Sequence, residues 1–292
     1  MGRGKGKMSA LREFKKLVCI PLLIGLFVMG VKGCSSYEHV VRTSDGKTIL
    51  FLEMIEDIRK VNLIFVGEVH DRSSHHQAQL EIIKALHRSG VSVAIGLEMF
   101  RADSQKELER WVEGGAGEKE FMKAYQDNWT APWPLYKDIF LYAREHRIPM
   151  VGLNVADEIT RKVSHKGFSS LGSEELKHLP PGISCDIDEG YMNFIQRVYR
   201  AHQTEGKSFV HFCEAQMVWD KTMAWNLVEF LRNNPQRTVI VLAGTGHSWK
   251  KGIPEQIGRL SGSSYTVILP EVPGLIDPKA VRSSDADYIL VE

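Results

Sequence analysis

Between residues 62 and 269 the chain repeats one pattern, a short unbroken apolar run followed by a stretch with helical spacing of its apolar positions. The runs are Asn62 to Val66, Val91 to Leu97, Pro149 to Leu153, Thr238 to Ala243 and Tyr265 to Leu269. Such runs suit strands buried on both faces of a parallel sheet, because a strand with one wet face would alternate. Ser74-His-His-Gln77 and Ser104-Gln-Lys-Glu107 have the spacing of capping boxes. Pro134 and Pro254 suit first helical turns, where the missing N–H costs nothing. The alternation predicts an α/β fold, a mostly parallel sheet flanked by helices and joined by right-handed crossovers.

From about 155 to 235 no strand pattern appears, and a helical insertion is expected there. Tyr191, Phe194, Ile195, Val198, Tyr199 and His202 fall on one helix face within it. A second stripe runs Phe212, Ala215, Gln216, Trp219, Met223, Leu227 and Phe230. Core packing accounts for most positions in both stripes. The polar groups Tyr191, Tyr199, His202 and Gln216, with Asp220 beside the second stripe, do not belong to a plain core.

Charge divides the chain in two. Residues 1–33 hold seven Lys/Arg and one acid, whereas the remainder carries 30 Lys/Arg against 35 Asp/Glu. A mildly acidic body lacks the basic face that nucleic-acid binding requires, so no nucleic-acid partner is expected. The basic start runs into the apolar stretch Leu17 to Gly30, interrupted by Pro21 and too short to span a bilayer. That reads as an export signal. Val31-Lys32-Gly33-Cys34 resembles a bacterial lipoprotein signal, although Lys32 departs from the small residue usual there. The expected organisation is a signal peptide over 1–33, a lipidated Cys34 with a tether over 34–47, and an α/β domain over 48–292. Of the remaining cysteines, Cys185 and Cys213 allow at most one disulfide and read as free or packing residues.

The apolar runs end in polar residues of one character. The first ends in Gly67-Glu68-Val69-His70, the second in Glu98, the third in Asn154 and the fourth in Gly244-Thr245-Gly246-His247. Ligands in open parallel sheets sit beyond the carboxyl ends of strands, so these termini are expected to meet in one cleft. Two carboxylates and two imidazoles there suit a divalent-metal or acid/base site formed by Glu68, His70, Glu98 and His247. His75, His76 and His87 read as surface helix residues. Gly244-Thr-Gly246 lacks the Lys-Ser/Thr ending of a phosphate loop, and no Gly-x-Ser-x-Gly elbow is present.

These motifs, together with Gly96 to Phe100, Glu214-Ala-Gln216, Trp219-Asp220-Lys-Thr-Met223-Ala224 and Ala286 to Ile289, resemble the ChaN family of haem-binding bacterial lipoproteins. The likeness spans nearly all of residues 48–292 in order. It implies a lipid-anchored protein of iron acquisition in the bacterial envelope, at the outer membrane, that binds ferric haem through a tyrosine in a pocket shared by two subunits. An outer-membrane haem receptor is the partner so implied. Tyr191 and Tyr199, with His202, are the candidates for the haem site, and Tyr125, Tyr136 and Tyr142 are competitors. The wider superfamily holds the erythromycin esterases and the Tiki metalloproteases, so the resemblance also implies an alternative, a metal-dependent hydrolase using Glu68, His70, Glu98 and His247.

The signal reading generates a direct test. Replacing Cys34 by Ser is expected to leave the exported protein soluble instead of membrane-associated, as followed by fractionation after a high-salt wash. Retention of the variant on membranes would point to an uncleaved helix.

Overall fold

The computed structural model describes residues 37–184, 189–201 and 208–291. Cys34, Cys185 and His202 lie outside the described residues, as does the side chain of Tyr199. The body, residues 35–292, is one compact unit.

It is built on an eight-stranded sheet of order β2-β1-β8-β7-β3-β6-β4-β5. The strands are β1 (His39–Arg42), β2 (Lys47–Leu50), β3 (Leu63–Glu68), β4 (Val93–Arg101), β5 (Met150–Asn154), β6 (Thr238–Gly244), β7 (Tyr265–Pro270) and β8 (Tyr288–Leu290). From β8 to β5 every neighbouring pair is parallel, whereas β1 runs antiparallel to both β8 and β2. The five strands expected from the apolar runs are the ones at the centre and at the β5 edge. Of the other three, β1 and β2 carry no continuous apolar run. Β-strand β2 keeps only Ile49 buried, and β8 is three residues long.

Eleven α-helices surround the sheet among the described residues. On one face lie α1 (Phe51–Ile58), α2 (Ser73–Arg88), α3 (Gln105–Val112), α4 (Glu118–Asn128) and α5 (Trp133–Glu145). The β5-to-β6 connection is the expected helical insertion and contains α6 (Asp157–Lys166), α7 (Ser173–Leu176), α8 (Glu189–Ala201) and α9 (Phe209–Asn233). After β6 come α10 (Thr245–Ser248) and α11 (Ile253–Leu260), and α8, α9 and α11 cover the second face. Strand alternation feeds both layers. Ile64, Val66, Ile95 and Leu97 pack towards α1 to α5, while Leu63, Phe65, Ala94 and Val241 pack towards α8, α9 and α11.

Helix capping differs from the sequence reading at two places. Helix α2 begins at Ser73 with Arg72 at its N-cap, and Ser104 closes a 3₁₀ turn (Ala102–Ser104), so neither predicted capping box forms. Ser104 is nonetheless the N-cap residue of α3, but its side chain makes no cap hydrogen bond. Pro134 and Pro254 do occupy first helical turns. No helix of the described residues is long and apolar enough to cross a membrane.

The β4–β5 pair depends on one glycine. The register of these strands shifts between Leu97 and Arg101, and a Cβ on Gly152 would stand 2.4 Å from the Arg101 carbonyl oxygen. Relief requires moving backbone. Gly152→Ala is therefore expected to lower stability by about 1–3 kcal/mol, the usual range for overpacking, in urea unfolding. Gly258 lies within α11 with nothing inside 4 Å of its ideal Cβ. Gly258→Ala is expected to be neutral or stabilising by up to about 1 kcal/mol, from helix propensity.

Candidate functional site

The chain leaves β3 into α2 on one face and leaves β6 into α10 and α11 on the other. Strands β3 and β6 are adjacent and parallel, so their carboxyl ends form a topological switch point. Strand phase then sends the two glutamates opposite ways. Glu68 shares a side with Ile64 and Val66 and enters the α2/α5 layer, whereas Glu98, out of phase with Ile95 and Leu97, faces α9 and α10.

On the first face, Glu68 is 1% exposed. His70 Nδ1 lies 2.8 Å from its Oε1, and Gln79 Nε2 donates to Oε2 at 2.8 Å. The Tyr136 hydroxyl donates to Oε1, and His76 Nδ1 lies 3.3 Å from Oε2. Burial alone would raise this carboxyl's pKa, but the hydrogen bonds from His70 and His76 outweigh it and hold the group below the usual carboxylate range. Burial also disfavours charge on His70 and His76, yet Glu68 raises the pKa of both. The Trp129 ring stands edge-on to His70, with centroids 5.0 Å apart.

The second face repeats the arrangement with other residues. His247 Nδ1 lies 2.7 Å from Asp220 Oδ1, and the Tyr191 hydroxyl donates to Asp220 Oδ2 at 3.0 Å. Trp219 stands edge-on to His247 at 5.8 Å. Each arm thus reads tyrosine, carboxylate, imidazole, with a tryptophan edge against the imidazole. Glu98 lies between the arms: its Oε2 accepts the Gly244 N–H at 2.6 Å and its Oε1 is 3.6 Å from His247 Nε2. Burial opposes charge on His247, but Glu98 and Asp220 outweigh it and raise the pKa to about 9.

Gly244 makes this convergence possible. A Cβ there would stand 3.0 Å from His70 Cε1 and 3.6 Å from Glu98 Oε2, so the imidazole lies against bare backbone. His70 is the most open member, its side chain 44% exposed against 12% for His247. With both Nδ1 atoms directed at carboxylates, the arrangement can hold and exchange protons through the imidazoles.

Glu68, His70, Glu98 and His247 therefore meet as the strand ends predicted, with most of their polar atoms engaged in hydrogen bonds. The oxygens of Glu68 are occupied by hydrogen-bond donors, one oxygen of Glu98 is held by backbone, and the carboxylates enter different faces. No group of three His, Cys, Asp or Glu side chains among the described residues is placed to hold a metal ion. Asn154 shares the same end of the sheet but serves backbone, donating to the Glu98 carbonyl and accepting from Val155 N–H.

The surface assignment of the helix α2 histidines does not hold. His75 is 4% and His76 2% exposed. Adjacent residues are both buried because the first turn of α2 lies beneath the β3–α2 loop. His75 Nδ1 accepts the Val69 N–H at 2.9 Å, while His76 Nε2 donates to the His70 carbonyl at 3.1 Å. His87 is half-buried, its Nδ1 2.9 Å from the Tyr142 hydroxyl. Of the tyrosines, Tyr136 belongs to the Glu68 arm and Tyr125 donates to the Ala131 carbonyl. Tyr191 is 3% exposed, on the Asp220 arm. Gln79, Asp220, Trp129 and Trp219 were not among the predicted site residues. Asp220 had a signal, a charge beside an apolar stripe, and Trp219 had one as a member of that stripe.

A family model described as "Haem-binding uptake, Tiki superfamily, ChaN" matches residues 54–257. Among solved structures, one titled "Cofacial heme binding to ChaN of Campylobacter jejuni" superposes with a TM-score of 0.69 at 22% identity, covering 86% of this chain and 95% of that one. An erythromycin esterase, EreC, gives a TM-score of 0.48 at 14% identity, covering 75% and 72%. A comparison with curated proteins returns no match.

The His247 arm predicts a pH dependence. A histidine pKa raised from about 6.5 contributes stability that is complete below that value and is lost as pH rises through about 9. Unfolding free energy is expected to fall over this window by on the order of 3 kcal/mol. In Asp220→Asn the fall is expected to shrink, as read by urea unfolding at each pH. An unchanged slope would show that Asp220 does not hold the proton on His247.

Proposed function

Because the chain belongs to the ChaN family of haem-binding uptake proteins, we propose that it is a lipid-anchored haem carrier of the bacterial envelope, using an α8 tyrosine as ligand to ferric iron. The observation that carries this reading is the family match over residues 54–257, supported by the same fold in the Campylobacter jejuni ChaN. A porphyrin needs apolar walls, an axial ligand and polar groups at its rim. The α8/α9 layer supplies that combination of residue types. Tyr191 and Tyr199 lie eight residues apart on α8, and Ile195 between them is buried. A phenol oxygen suits ferric iron once ionised.

The other candidate tyrosines lie outside the α8/α9 layer. Burial raises the pKa of Tyr125, Tyr136 and Tyr142, and the first two also face the Glu68 charge. All three are thereby held as phenols. Cofacial haem, the arrangement named for the Campylobacter jejuni protein, requires two haem faces to meet, which is the reason to propose a dimer in the loaded state. Attachment through Cys34 would keep that dimer at the outer membrane, beside a haem receptor.

Titration of the soluble body, residues 36–292, with ferric haem is expected to give a saturable Soret band with a high-spin charge-transfer feature. The loaded protein is expected to elute as a dimer on size-exclusion chromatography. Phe at the ligand position is expected to remove the charge-transfer feature. Wild-type spectra from both Tyr191→Phe and Tyr199→Phe would overturn the α8 assignment, and absence of saturation would overturn haem binding itself.

A further inference from the structure

We propose that a second cleft, beyond the carboxyl ends of β4 and β5, binds a small single-ring carboxylate. Its volume is about 170 Å³. That is close to the roughly 150 Å³ of an apolar cavity that accepts benzene, and too small for a porphyrin. The site is independent of the haem reading and lies outward of the Glu68 and Asp220 arms, where open parallel sheets place ligands.

Its wall carries apolar surface among polar side chains, and its rim carries three basic side chains and one acidic one. Val155 and Leu179 are buried in the wall, and the half-buried Trp225 offers a ring. Two of the polar side chains beside them donate elsewhere. The Asn226 amide donates to the Leu153 carbonyl and the Thr222 hydroxyl to the Val218 carbonyl. Recognition of charge therefore falls to the rim, where Arg101, Lys177 and His178 stand.

Arg101 is partly committed. Its Nε donates to Asp103 and its Nη1 to the Asp127 carbonyl, which orients the guanidinium and leaves Nη2 for a ligand. Asp103 is the acidic member of the rim, and Arg101 already engages its carboxylate. Lys177 pairs with Glu174 at 2.7 Å, but both side chains are mostly exposed, at 66% and 82%. Such a surface pair contributes little in water and yields to a better-placed anion. Apolar surface of one-ring extent beside the free Arg101 Nη2 suits an anion on a flat apolar body. A sugar would leave hydroxyls unpaired against Val155 and Leu179, and a cation would meet Arg101 and Lys177.

The test uses benzoate as the probe and benzyl alcohol as its uncharged counterpart, by isothermal titration and by the NMR shift of the Trp225 indole N–H. Benzoate is expected to saturate one site, to weaken as salt rises, and to bind at least tenfold more tightly than benzyl alcohol. Arg101→Met and Lys177→Gln, both rim changes, are each expected to weaken benzoate about tenfold, the loss of one charge-assisted hydrogen bond. Failure of benzoate to saturate overturns the proposal, as does equal binding of benzyl alcohol. Wild-type affinity in both rim variants, or saturation without a shift at Trp225, overturns the assignment to this cleft.

Discussion

The constraint on which the rest of this architecture depends is the burial of carboxylates at the carboxyl ends of the central strands. Glu68 and Asp220 are each 1% exposed, and an isolated charge at such a depth would be prohibitively unstable. Each must therefore draw donors to it, and those donors come from elements far apart in sequence. Glu68 takes Tyr136 from α5 and Gln79 and His76 from α2. Asp220 takes Tyr191 from α8 and His247 from α10. Hydrogen bonds to charged groups contribute about 1.5–3 kcal/mol each, and removing one partner leaves the charge uncompensated. Satisfying these groups fixes how both helical layers dock on the sheet.

The same constraint explains the near-mirror form of the two arms. A parallel sheet buried on both faces has no wet side to which a charge can turn, so a charge on either face needs its own donors. Glu98 lies beside the second face and uses the backbone N–H of Gly244 instead of a tyrosine. Gly244 serves both arms, as a donor to Glu98 and as the bare surface against which His70 lies. Gly252 has a related role. Its ideal Cβ would stand 2.3 Å from the His247 carbonyl oxygen, so the loop after α10 closes over His247 only with glycine there.

What the sequence made legible was whatever depends on local pattern. Continuous apolar runs located β3 to β7, and the polar residues ending them located Glu68, His70, Glu98 and His247. Residues whose roles depend on how distant elements dock were not legible. His76 looks like a surface position from its own helix, and only the placement of α2 under the β3 end buries it. Tyr136 reads as a helix aromatic until α5 brings its hydroxyl to Glu68. Strands β1 and β2 lack apolar runs because they keep exposed positions, and β8 is only three residues long, so periodicity had little to report there. The helical insertion was legible as an absence of strand signal. The pairing of its Tyr191 with Asp220 was not, because it depends on the phase of two packed helices.

The central claim is that hydrogen bonding satisfies the Glu68, Glu98 and Asp220 cluster. Nitrogen NMR of the His70 and His247 rings in chelator-treated protein tests it most directly. The account predicts that His247 carries protons on both ring nitrogens at neutral pH, and that adding zinc leaves both imidazole signals in place. Stoichiometric loss of the ring protons with metal-bound nitrogen shifts on adding zinc would contradict it.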